Sequence, residues 1–119
     1  MAQTGLLGPY PLTEEAIQKF VTDAKDWSSA SVYALGLVKQ KHFYIRRVGH
    51  VEGNLAVVLK TYLGQYVAFR FKFFSSTRTA YNKECHLYHD FNPKDNEEHP
   101  VKPKNTKFTC PVASCELSV

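Results

Sequence analysis

The sequence lacks the features that would place it in several common classes. No stretch approaches the run of about 18 apolar residues that a spanning helix needs, which excludes a membrane helix. Residues Met1 to Tyr10 show no basic start followed by a long apolar run, so no secretory signal is expected and cytoplasmic residence is the default. Three cysteines form an odd, sparse set, which describes no disulfide framework. No internal repeat is present. Charge of one sign does not dominate either: 15 basic and 11 acidic side chains leave a formal net charge of +4. That mild excess is compatible with a polyanionic partner without requiring one.

What is present is enough for one core. The 119 residues are 44% hydrophobic and 13% aromatic, sufficient for a single compact domain and too little for two. Gly5, Gly8, Pro9 and Pro11 break up the first eleven residues, which read as an irregular leader. Thr13 then offers a cap, with Glu14 and Glu15 in the first turn. Ile17, Phe20, Val21 and Ala24 follow at helical spacing, so a helix is expected to fade near Trp27 to Ser31. Residues Ser31 to Val38 and Phe43 to Val48 alternate as two strands around the polar turn Lys39 to His42, and Gly49 to Gly53 reads as a loop. Asn54 is placed to cap a second helix, which Gly64 stops. The clearest strand is Tyr66 to Phe74, with Phe69, Phe71 and Phe73 on one face and Arg70 and Lys72 on the other. Ser75 to Thr77 can cap a third helix running to about Asp90. The remainder to Lys107 carries three prolines and many charges. The expected fold is α+β: a small three-stranded antiparallel sheet flanked by helices, with an extended Pro-rich C-terminal arm. Residues 1–30 form the leader and first helix, 31–91 the core, and 92–119 the arm with Cys110 and Cys115.

The order of motifs carries a resemblance. Val32-Tyr33-Ala34 and Arg47-Val48-Gly49 lie on the two hairpin strands; a polar-started helix, an aromatic strand and the helix Lys83-Glu84-Cys85-His86-Leu87-Tyr88-His89 follow. This series resembles the GIY-YIG nuclease family. It is similar in particular to small members with an E-C-x-L-Y-H-D-F helix, here Glu84 to Phe91. Their tail of His-Pro, Thr and Cys-Pro reads here as His99-Pro100, Thr106 and Cys110-Pro111. The resemblance implies phosphodiester hydrolysis, on DNA rather than RNA, with one divalent metal, Mg²⁺ or Mn²⁺. It assigns the metal to Glu84 and the role of base to Tyr33. A hard cation takes carboxylate oxygen and stabilises charge on the phosphate.

The chain also departs from that pattern. Arg47 stands at the second tripeptide's tyrosine, and His50 follows its glycine. On the second helix Val58 occupies the place of the arginine and Tyr62 that of a histidine, and Lys60 is the cation left in that turn. Arg47, His50 and Lys60 are therefore the candidate phosphate contacts, completing the catalytic set of Tyr33 and Glu84. Arg46, Arg47, Lys60, Arg70 and Lys72 are the candidate nucleic-acid face, interleaved with aromatics. The rival expectation is a catalytically inactive copy kept for binding DNA or protein, in which Ala56, Val57 and Val58 line a dry patch. A homodimer or a protein partner suits so short a domain. Cys85 and His89, four apart on one helix, could join Cys110 and Cys115 in a tetrahedral zinc site. The wide gap between Cys110 and Cys115 argues instead for buried free thiols.

Overall fold

The computed structural model describes residues 4–26, 28–96, 100 and 110–111. It is a compact α+β fold built on one four-stranded antiparallel sheet. The chain runs through β1 (Leu7–Pro11), α1 (Glu14–Ile17), a π-helical turn (Gln18–Thr22), β2 (Ala30–Lys39) and β3 (His42–Val51). It continues with α2 (Leu55–Thr61), β4 (Ala68–Phe74) and α3 (Thr77–Phe91). Spatial order is β1-β4-β2-β3, which leaves β1 and β3 as edges. Among the described residues no helix is long and apolar enough to cross a membrane.

The fourth strand corrects the expected three. Residues 7–11 pair with β4, Leu7 opposite Phe71 and Tyr10 opposite Phe69, with a bulge between them that takes up Gly8 and Pro9. Proline removes a ladder donor, so it survives in sheets at edges and bulges, and this strand is both. The first helix is shorter than its periodicity suggested. Thr13 caps it by accepting from the Ala16 amide at 3.1 Å, but after one turn the backbone widens into the π-helical turn, which ends at Thr22. The segment Gly49 to Val51, read as loop, is the end of β3, paired with Tyr33, Val32 and Ser31. Asn54 sits before α2 in a left-handed conformation and makes no side-chain cap. Ser76 does cap α3, accepting from the Thr79 amide at 3.2 Å.

Alternation along the strands sorts the core into two layers. Tyr33, Leu35, Val51, Phe69 and Phe71 face α1 and α2 and pack on Ile17, Leu55 and Leu59. Val32, Ala34 and Val48 face the other way, under Ala80 and Leu87 of α3. The C-terminal arm lies mostly outside the described residues, yet its start is docked. The Asp95 amide donates to the Arg46 carbonyl, and the Asn96 amide group grips the Val48 backbone, accepting at 2.8 Å and donating at 3.0 Å. Asn96 thereby satisfies part of the exposed edge of β3.

A shift in register between Leu35 and Gly36 marks a bulge in the hairpin, with Gly36 opposite Ile45. A Cβ on Gly36 would collide with the Tyr44 carbonyl, which is backbone and cannot swing aside. Gly36→Ala is expected to destabilise the fold by about 1–3 kcal/mol through overpacking. The urea midpoint measures it, and an unchanged midpoint would show that the bulge relaxes freely.

Candidate active site around the edge strand

The β2–β3 register puts Tyr33 directly opposite Gly49, and the tyrosine ring lies across the place where a side chain on Gly49 would stand. Only glycine leaves room for a ring there. The Tyr33 hydroxyl meets Tyr62, which follows the end of α2, and the two rings stand 6.2 Å apart. Burial, then the neighbouring Tyr62 and the charge of Glu84, push the Tyr33 hydroxyl far above the usual phenol range. It keeps its proton at neutral pH.

Arg47 lies on the same face of the sheet. Its guanidinium covers the Tyr62 ring at 5.5 Å and its Nε donates to the Tyr66 hydroxyl at 3.3 Å. That hydrogen bond is the main reason its basicity is raised. Tyr66 in turn donates to Asp95 Oδ2 at 2.6 Å, and Arg46 reaches Asp95 Oδ1 at 3.4 Å. The Tyr66 hydrogen bond, followed by the two arginines, holds the Asp95 carboxyl below the ordinary aspartate range.

His50, the residue after Gly49, points the opposite way. It faces α3, where its Nδ1 meets Oε1 of Glu84 at 2.5 Å; both side chains are largely buried. Tyr81, one turn earlier on α3, sets its ring edge-on to His50 with centroids 5.9 Å apart. The site therefore has two halves flanking one edge strand: Tyr33, Tyr62, Arg47 and Tyr66 on one side, His50, Glu84 and Tyr81 on the other. The charge of Glu84 acts on Tyr33 between them. Among the described residues no group of three His, Cys, Asp or Glu side chains closes around a point a metal could occupy.

Several expected members stand elsewhere. Lys60 is exposed on α2 and borders a hollow with Glu14, Glu15 and Asp23, so it does not join Arg47. The five-residue basic face is divided. Arg47 belongs to the α2 side, while Arg70 and Lys72, opposite Ala34 and Val32, belong to the α3 side. Arg70 lies over Phe43 and donates to the Leu6 carbonyl, and Lys72 lies over Phe74. Arg46 is turned to Asp95. Ala56 is buried and Val58 packs against the core, which leaves Val57 as the exposed member of that trio. Cys85, His89 and Cys110 come together beneath α3; Cys115 lies outside the described residues. Tyr66, Tyr81 and Asp95 were not singled out from the sequence. Nothing local marks them, because each acquires its place from a partner at least 19 residues away in the chain or on another element.

No family model, curated protein or solved structure matches this chain.

Because the Asp95 carboxyl is depressed, its contribution is present above the ordinary aspartate range and lost as pH falls through the lowered folded value. Asp95→Asn should lower the urea midpoint at neutral pH, and the gap to wild type should narrow as pH falls below the ordinary aspartate range and through the lowered folded value. A gap that persists unchanged in acid would assign the loss to packing instead of charge.

Proposed function

We propose that this chain is a GIY-YIG-like domain acting on the phosphodiester backbone of DNA, with Glu84 as its metal carboxylate. One observation carries the reading: the hairpin register sets Tyr33 against Gly49, with Arg47 and His50 flanking that glycine and Glu84 of α3 on His50. These are the positions at which the motif resemblance expects the chemistry.

The residues present fit one hard divalent cation. Mg²⁺ keeps several waters and asks the protein for one or two carboxylates. Glu84 is a carboxylate held by His50 through Oε1, and it is the residue that would hold the metal. When bound, Mg²⁺ or Mn²⁺ would supply neutralising charge at the phosphate. The chain's own groups divide the remaining work. Arg47 offers the guanidinium missing at Val58, coming from β3 instead of α2, and its stack on Tyr62 fixes the plane of the fork. Tyr33 is assigned here as a hydrogen-bond donor and no longer as the base, because its buried hydroxyl stays protonated. Imidazole is the commonest general base. With Nδ1 committed to Glu84, His50 would accept a proton at Nε2.

A second reading has its own observation. Val58 sits packed on the core where the resembled family has an arginine, and Arg47 is already engaged by Tyr62 and Tyr66. A domain so arranged could bind DNA without cutting it.

Nicking of supercoiled plasmid with Mg²⁺ or Mn²⁺, and with chelator, separates the two. The nuclease reading expects metal-dependent nicking that is abolished in Glu84→Gln, a variant that keeps a hydrogen bond to His50. Arg47→Ala should lower the rate by about 10²–10³, the usual effect of removing one transition-state donor. Plasmid left intact under every metal, with retained shift of a DNA duplex, would establish the binding reading.

A further inference from the structure

The third apolar cluster, Tyr81, Cys85 and Cys110, differs from the other two in its atoms. It holds two thiols, 0% and 1% exposed, on two segments that are 25 residues apart in the numbering. Cys85 interacts with Cys110 and with the Tyr81 hydroxyl. Cys110 Sγ also lies 3.5 Å from Nε2 of His89, which follows Cys85 by four positions and so stands one turn along the same helix face. Cys110 thus touches both α3 donors.

That spacing has a chemical meaning. Zinc binds thiolate at about 2.3 Å and imidazole at about 2.0–2.1 Å, so two such ligands at a tetrahedral angle stand about 3.5 Å apart. The sulfur-to-nitrogen distance between Cys110 and His89 matches this span. Thiolate and imidazole together select zinc over magnesium or calcium.

We infer that Cys85, His89 and Cys110 supply three of the ligands of a zinc site that fastens Cys110 to α3. The three do not yet close around one point. Metal binding would draw them in, with Cys110, which already meets each of the others, as the pivot. Both thiols would release their protons to solvent as the metal binds. The site is distinct in chemistry from Glu84, which precedes Cys85 in the helix, and it does not depend on the nuclease reading.

Cobalt provides the test. The full-length chain, reduced and stripped of metal, is titrated with Co²⁺ while its absorption is recorded. The inference expects one saturating equivalent, thiolate-to-cobalt charge-transfer bands, the visible bands of tetrahedral cobalt, and displacement of both by Zn²⁺. Cys85→Ser and Cys110→Ser should each abolish the charge-transfer bands or weaken Co²⁺ affinity at least tenfold. Wild-type protein that shows no saturable cobalt spectrum overturns the inference, whatever the variants do. So does a mass two units low without reductant, the mark of a Cys85–Cys110 disulfide, if reduction then yields no cobalt binding.

Discussion

The pairing of Tyr33 with Gly49 across the β2–β3 hairpin is the constraint on which the candidate site depends. A strand side chain normally meets a neighbour's side chain across the ladder. Here the partner has none, and the tyrosine ring fills the vacancy. The register then dictates the rest. One residue later, His50 must face the opposite side and meet α3, while Arg47, two residues earlier, shares the face of Tyr33. A slip of one position would exchange the two sets. The bulge at Leu35–Gly36 and the two-residue turn at Gln40 and Lys41, both left-handed, hold that register in place.

An edge strand carrying this much polarity must have its groups satisfied. β3 is served from both faces and from its open edge. Glu84 takes His50, Tyr62 and Tyr66 take Arg47, and Asp95 and Asn96 take Arg46 and the backbone of Val48. The residues after α3 therefore act as a cover for the edge, protecting a ladder that would otherwise be open to another chain. They also set the electrostatics of the site, since Asp95 reaches Arg47 through Tyr66.

Much of the core was legible in the chain. Phe69, Phe71 and Phe73 alternate with Arg70 and Lys72 as a strand buried on one face should, and the structure puts the two sets on opposite sides. Leu55 and Leu59 fall at helical spacing and are fully buried. The misreadings have local causes. Gly8 and Pro9 disguise β1, because a bulge accommodates what a regular strand would not. Gly49 imitates the start of a loop, although the Tyr33 ring requires it within β3; Gly53 does lie in the bend that follows the strand. Lys60, Arg70 and Lys72 share a charge with Arg47 but not a neighbourhood, since charge alone says nothing of which face a residue occupies.

The sequence by itself determined the α+β class, the period of each strand, the capping of α1 and α3, and the presence of a tyrosine, a glutamate and basic side chains in a telling order. Those follow from short-range physics: side-chain periodicity, backbone preference and cap chemistry. Tertiary structure alone decided that Glu84 meets His50, that Arg47 turns to Tyr62 and Tyr66, that residues 95 and 96 close the edge of β3, and that Cys110 reaches Cys85 and His89. Each of these joins groups 15 or more positions apart. Such contacts are fixed by the packing of two layers on one sheet, and no local pattern encodes which partner the packing delivers.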